Sequence, residues 1–254
     1  MNLPPPAATA LIADDEEAPR EQLRHALARC WPDLRIVAET ADGAEAWDAW
    51  LVHEPRLVFL DVRMPILTGL DVAQRIGARA HIVFVAAPGD HALDAFASAA
   101  VDVLLKPVDE QPLRAIVERL QQPRLHEPPP DLQALLARLV ARQRAPAPLE
   151  VLQAGVGRET EAIPVAEVIF FEADARYTRV VHRGGETLVR VPLKELLPRL
   201  DPQRFLQVNR FAIVNERWIT GALRTDDGQM TLTLRERAER LPVARPLQDQ
   251  FRGR

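Results

Sequence analysis

Lysine is nearly absent from this 254-residue sequence. Of 32 basic residues only Lys106 and Lys194 are lysine, and arginine supplies the rest. A lysine here is therefore not the default surface cation, and where it stands carries information. Cysteine is scarcer still: Cys30 is alone, which excludes an internal disulfide and suits a reducing compartment. No apolar run reaches the ~20 residues that a membrane-spanning helix needs. The opening MNLPPPAATALIADDEE has no basic segment ahead of an apolar one, so no signal peptide is expected. A cytoplasmic protein without a membrane partner is the expectation. Internal repeats with a period of about 20–50 residues are missing too. What remains is 47% hydrophobic with a formal charge of −4, the composition of a folded chain rather than a disordered one. The length accommodates two domains.

Charge and pattern both divide the chain. Residues 1–144 carry 15 basic and 21 acidic side chains, whereas residues 145–254 carry 17 basic and 15 acidic ones. The mildly basic second half is a weak pointer to a polyanion. Up to about residue 122 short apolar runs alternate with helical patterns. TALIADD, LRIVAET, RLVFLD, HIVFVAA and VDVLLKP read as strands. APREQLRHALARCW, GAEAWDAWLVH, TGLDVAQRIGA, DHALDAFASAA and PLRAIVERLQQ read as helices, the first with Leu23, Ala26, Leu27 and Cys30 on one face. Five βα units in succession predict an α/β fold, a doubly wound parallel sheet with helices on both faces.

Residues 123–148 read as a proline-rich linker. Within it Leu132, Leu135, Leu136, Leu139 and Val140 have amphipathic helical spacing, with Asp131 placed as the cap. Such a stripe packs on a domain or pairs with a second chain, and at under two heptads it is no coiled coil by itself. From residue 149 the period changes to two. EVIFFEAD, YTRVVHRGGETLVRV, RFAIVN and LRTDDGQMTLTLRE read as strands and hairpins, with RGGE and DDGQ as the turns. Only PLKELLPRL looks helical, so a mostly-β domain is expected over 149–254.

The chemistry sits where the strands of the first domain end. RLVFLD closes four apolar residues with a carboxylate, Asp61. A buried, unpaired carboxylate costs several kcal/mol. In a sheet of this type ligands bind beyond the carboxyl ends of the strands. Those ends bring Asp14 and Asp15, Asp61, and Lys106 to one edge. Three clustered acids invite a hard divalent cation such as Mg²⁺. A lysine beside them suits a phosphoryl oxygen. A carboxylate nucleophile, a metal and a lysine form a set that can accept a phosphoryl group. Singly, each piece has an ordinary reading: a strand-end Asp as a turn residue, Asp14 and Asp15 as helix caps, Lys106-Pro107 as a strand exit.

ADDEE, FLDVRMP followed by glycine, and LLKP, in that order on five βα units, resemble a response-regulator receiver domain over residues 8–122. The resemblance implies that Asp61 is the phosphoacceptor. It implies that Asp15, Asp61 and the backbone carbonyl of Arg63 hold Mg²⁺ with help from Asp14, that Lys106 contacts the phosphoryl group, and that Pro107 follows in a cis peptide. Two positions depart from the family pattern. Ala86 stands where Thr or Ser is usual at the end of strand 4, and Val103 where Tyr or Phe is usual three residues before the lysine.

The second domain resembles a LytTR-type DNA-binding domain, the output module of LytR/AlgR-class regulators. The resemblance rests on VIFFEADARYTRVV, LKELLPRLDPQRFLQVNRFAIVN and ERLPVARP. Asn209 stands where His is common and Phe211 where Ser is common. Loops of this family enter DNA major grooves, which implies contacts from Arg176, Tyr177, Thr178, Arg179, Asn209, Arg210 and Arg245. Arginine pairs with guanine and asparagine with adenine, while other contacts hold phosphates. Any one such arginine taken alone reads as a solvated surface residue. Asn215 reads as structural.

The resulting expectation is a phosphorylation-controlled transcriptional regulator. It would be no enzyme, with a sensor histidine kinase, double-stranded DNA and a second copy of itself as partners. An aspartyl-phosphate phosphatase would need a DxD nucleophile motif, which ADDEE is not. The alternative is a receiver that acts by dimerisation or protein contact without phosphorylation.

Overall fold

A computed structural model describes residues 8–89, 102–121, 149–154, 161–174, 176–225 and 228–251. The expected helix over DHALDAFASAA and the amphipathic segment 131–143 lie outside the described residues. The chain divides into two compact units, residues 1–144 and 145–254.

In the first unit β1 (Thr9–Ala13), β2 (Arg35–Thr40), β3 (Leu57–Asp61), β4 (His81–Ala86) and β5 (Asp102–Leu105) form one parallel sheet in the order β2-β1-β3-β4-β5. Helices α1 (Glu17–Cys30), α2 (Gly43–His53), α3 (Gly69–Ile76) and α4 (Glu110–Leu120) alternate with the strands. Alternation along each strand explains the two layers. Ala10 and Ile12 of β1, Phe59 of β3, and Val83 and Val85 of β4 meet Leu23, Ala26 and Leu27 of α1 and Leu113, Ile116 and Val117 of α4 in one buried cluster, with Cys30 partly buried against it. The intervening Leu11, Val58, Leu60 and Phe84 are equally buried on the opposite face. There Trp47 and Trp50 of α2 stack with centroids 5.5 Å apart, and Arg75 and Arg79 lie over their rings. All five residues of β3 are buried, as expected of a central parallel strand. Caps define the helix starts. Asp42 accepts from the Glu45 N–H, and Thr68 with Asp71 forms a reciprocal capping box at α3.

The strand order reverses between β1 and β3. This is the crevice in which open α/β sheets bind ligands, and Asp14 and Asp61 flank it.

Among the described residues of the second unit every strand pairing is antiparallel. β8 (Val168–Ala173), β9 (Thr178–His182), β10 (Gly185–Val189), β11 (Phe205–Asn209) and β12 (Ala212–Asn215) form a sheet in the order β10-β9-β8-β12-β11. β13 (Ile219–Arg224), β14 (Met230–Leu234) and β15 (Arg240–Val243) form a second sheet, and β6 (Val151–Ala154) pairs with β7 (Glu161–Pro164). The RGGE hairpin is present, with Gly185 at φ 147. Gly228 at φ 80 serves the β13–β14 turn. PLKELLPRL forms α5 (Leu193–Leu196) followed by one 3₁₀ turn. It is not the only helical piece: Arg245–Phe251 is a seven-residue 3₁₀ segment. Its buried Leu247 and Phe251 are four residues apart, too short a repeat to stand out as a helical period in the sequence. Asn215 is structural as expected. It is fully buried, donates to the Val168 carbonyl at 2.8 Å and accepts from the Arg217 N–H at 3.2 Å.

Candidate phosphoacceptor and nucleic-acid sites

Asp61 is the last residue of β3 and is only 6% exposed. Its Oδ1 accepts the Arg63 backbone N–H at 3.0 Å and its Oδ2 accepts Lys106 Nζ at 2.7 Å. Lys106 leaves β5, donates its backbone N–H to the Ala86 carbonyl at 2.9 Å, and precedes Pro107 through a cis peptide. The same ammonium reaches Asp14 at 2.9 Å and Glu16 at 3.4 Å. Asp14, at the end of β1, is buried, accepts the Glu16 N–H at 3.0 Å and has its carbonyl bound by Arg20. Asp15 is exposed beside it.

Two glycines let this edge close. A Cβ on Gly69 would fall 2.0 Å from the Asp61 carbonyl oxygen, and one on Gly43 would fall 1.9 Å from that of Leu67. No real Cβ tolerates such distances, so α3 can start against β3, and α2 against the loop before α3, only with glycine at these positions.

Burial pushes the Asp61 carboxyl above its ordinary value of 3.8, and the charge of Asp14 adds to the rise. Hydrogen bonds from Lys106 and the Arg63 N–H, and the lysine charge, pull the other way without cancelling it. For Lys106 the balance is opposite. Burial alone would lower the ammonium, but hydrogen bonds from it to Asp61 and Asp14 and their charges hold it above the ordinary lysine range. The cations at this edge, Lys106 and the Arg20 guanidinium on the Asp14 carbonyl, are outnumbered by Asp14, Asp15, Glu16 and Asp61.

Ligand oxygens of Asp14, Asp15, Glu16 and Asp61 lie within 4.8 Å of one another. Oxygen donors alone, in excess negative charge and partly open to solvent, fit a hard divalent cation that keeps some water, as Mg²⁺ does. Glu16 was not among the expected ligands. Its position two residues after Asp14, on the turn into α1, is the signal that could have included it.

The two departures lie in the same edge. Ala86 ends β4, fully buried, and brings no hydroxyl to Asp61. Val103, half-buried on β5, pairs with Phe84 and brings no ring.

The expected DNA-contacting residues divide into two groups. Thr178 is 1% exposed and its hydroxyl donates to the Val191 carbonyl at 2.7 Å, so it is withdrawn from the surface. Arg179 lies over Phe170 and binds Glu172, Glu186 and Glu239, which commits its guanidinium inside the domain. Asn209 donates to the Pro242 carbonyl at 2.6 Å and accepts the Phe211 N–H at 2.7 Å. Its amide braces the β11–β12 turn. Each has at least one partner more than ten residues away, Val191 for Thr178, Glu239 for Arg179 and Pro242 for Asn209, which local pattern could not reveal. Arg176, Arg210 and Arg245 are exposed and Tyr177 is half-buried. Arg210 and Phe211 form the turn between β11 and β12, and the guanidinium lies 4.4 Å from the Phe211 ring centroid.

No helix among the described residues is long and apolar enough to cross a membrane. The response regulator receiver domain family matches residues 10–118, and the LytTr DNA-binding domain family matches residues 158–254. An uncharacterized response regulatory protein of Vibrio cholerae is 37% identical over 255 residues, covering 96% of this chain and 97% of that protein. The positive alginate biosynthesis regulatory protein of Pseudomonas aeruginosa is 32% identical over 89% of each chain. The transcriptional regulatory protein BtsR of Escherichia coli K12 is 30% identical, with 92% of this chain and 93% of BtsR covered. With a receiver fold in its first unit, an acidic strand-end cluster closed by one lysine, and a β domain of the LytTR family after it, the chain belongs to the two-component response regulators of the LytTR class, DNA-binding transcriptional regulators and not enzymes.

Proposed function

We propose that Asp61 accepts a phosphoryl group from a sensor histidine kinase, and that the acceptance controls binding of the C-terminal domain to promoter DNA. The observation that carries this reading is the ammonium of Lys106 held between Asp61 at 2.7 Å and Asp14 at 2.9 Å in an otherwise acidic crevice. An Asp61 carboxylate oxygen attacks phosphorus, the phosphorus–nitrogen bond of the donor phosphohistidine breaks, and an acyl phosphate forms. The Arg63 N–H on its other oxygen fixes the orientation of the Asp61 carboxylate. Lys106 is placed to follow the charge on the transferred oxygens. Asp15, Asp61 and the Arg63 carbonyl, with Asp14, would hold Mg²⁺. When bound, the ion neutralises charge on the phosphoryl oxygens.

Phosphorylation by a small-molecule phosphodonor tests this. Asp61→Asn abolishes the hydroxylamine-labile label, and Asp15→Ala weakens Mg²⁺ binding measured by calorimetry. Undiminished labelling of Asp61→Asn sinks the assignment. In the DNA-binding domain, Arg210 and Arg245 are the proposed base readers, with Arg176 and Tyr177 beside them. Arg210→Ala or Arg245→Ala should each cost about 1–3 kcal/mol of specific binding. Two chains pair on two half-sites in this reading, and sedimentation with and without a phosphate analogue tests the pairing.

Ala86 and Val103 favour a second reading, in which the receiver acts by dimerisation or protein contact without phosphorylation. A phosphate-analogue titration separates the two. A change in dimer or DNA affinity supports the first, and indifference supports the second.

A further inference from the structure

Phe211 is the only aromatic among the large apolar side chains that the described residues leave exposed, at 51%. It stands at the tip of a hairpin, where a polar residue would cost nothing. Half of it lies open to solvent, and the Arg210 guanidinium lies 4.4 Å from its ring centroid. Its backbone is nevertheless fixed from both sides. The N–H donates to Asn209 Oδ1 at 2.7 Å and the carbonyl accepts the Ala173 N–H at 2.7 Å. Asn209 is in turn tied to the Pro242 carbonyl. The turn is a rigid mount that holds an apolar ring and a guanidinium against each other. Arg210 has no ion pair among the described residues, so its donors are free for a ligand.

Resting on the assignment of Arg210 as a base reader, we propose that Phe211 is a specificity-determining residue that contacts the C5-methyl group of a thymine neighbouring the guanine read by Arg210. The chemistry matches at each end. Guanine offers O6 and N7 to a planar guanidinium, and thymine offers the one apolar group in the major groove. Spacing matches as well. Adjacent residues place their Cα atoms about 3.8 Å apart, close to the roughly 3.4 Å between successive bases of one strand. Stacking on the ring also restricts the Arg210 rotamers before binding, which reduces the entropy lost when the bidentate pair forms.

The test uses the full chain and a duplex library with a randomised core. The parent enriches a motif with thymine next to a guanine whose selection disappears in Arg210→Ala. Replacing that thymine by uracil removes only the methyl group. It weakens the parent about fourfold, the worth of one buried methyl-sized group, and leaves Phe211→Ser unaffected. Phe211→Leu retains the thymine preference, which keeps the test decisive should the serine variant fold poorly. The proposal is overturned if uracil leaves the parent unaffected, or weakens the parent and Phe211→Ser equally. A parent motif that depends on Arg210 but ignores the methyl group overturns the Phe211 assignment alone. A parent that enriches no motif overturns the base-reading assignment with it.

Discussion

Lys106→Met should destabilise the first unit in the absence of divalent cations and restore most of the loss in their presence. The Lys106 side chain is 12% exposed and its ammonium sits 2.7 Å from Asp61 and 2.9 Å from Asp14. At these separations each contact is worth about 6 kcal/mol of gross Coulomb energy at an effective dielectric constant near 20. Most of that offsets desolvation. Removing one partner of a buried pair costs about 3–5 kcal/mol net, because a charge is left uncompensated. Asp61 has an escape by taking up a proton, so the lower end, about 3 kcal/mol, is expected at neutral pH. For a domain of this size that is roughly 10–15 °C in Tm.

Methionine removes the cation that competes for the same oxygens, so Mg²⁺ should bind the variant more tightly and stabilise it more than the parent. Tryptophan fluorescence reports the transition. Trp31, Trp47 and Trp50 lie in the first unit, and a Trp218→Phe background removes the only tryptophan of the second. An unchanged midpoint without Mg²⁺, or equal stabilisation of parent and variant by millimolar Mg²⁺, would refute the reasoning that Lys106 is the resident counter-ion of this cluster.

Three further outcomes follow from the structure. Because burial raises the Asp61 carboxyl above 3.8, its contribution to stability is present at low pH and lost as pH rises through the folded value. Asp61→Asn, free of that loss, should therefore be more stable than the parent at neutral pH, with the gap narrowing under acid in denaturant titrations. Thr178→Val should cost about 1–3 kcal/mol of stability by leaving the Val191 carbonyl unpaired, while a correctly folded sample keeps its DNA affinity; a fall in affinity at constant stability would return Thr178 to the interface. His81 sits 2.6 Å from Asp102, which Arg119 also binds. Burial, then the Arg119 charge, holds the imidazole below its ordinary 6.5, so its NMR titration should fall below that value and move up in Arg119→Gln.

The parallel sheet and its site were legible for the same reason. A strand buried on both faces leaves a continuous apolar run, and an acid at its end is conspicuous, as Asp61 is after Leu57–Leu60. Lys106 stood out because lysine is rare here. The fate of the expected DNA-contacting residues was less legible. A polar residue near a turn looks the same in sequence whether it faces solvent or a backbone group. Thr178 reaches Val191, 13 residues on, and Asn209 reaches Pro242, 33 residues on. Such pairings are set by sheet topology, not by local pattern. Arg179 illustrates the same limit, since its three carboxylates come from β8, β10 and the segment before β15. The strand β11 and the β6–β7 hairpin were also not separable from their surroundings, being four or five residues long with mixed burial.

The loss of both usual switch side chains bears on how this receiver can signal. A ligand shifts an equilibrium only by its differential affinity for the two states. At Ala86 no hydroxyl distinguishes a phosphorylated Asp61 from a free one, and at Val103 no ring has two positions to choose between. What a phosphoryl group can still change is the charge around Lys106, whose ammonium is shared among Asp61, Asp14 and Glu16. Drawing Lys106 toward the phosphoryl oxygens weakens its hold on Glu16, at the start of α1. On this reading the response runs through the β1–α1 turn rather than through β4 and β5. Ala86→Thr with Val103→Tyr restores the second route and leaves the first intact. If that pair leaves the analogue-induced change in dimerisation unaltered, those two positions are not where this protein's coupling is decided. If Glu16→Gln abolishes the parent's response while the restored pair recovers it, the two routes are separate.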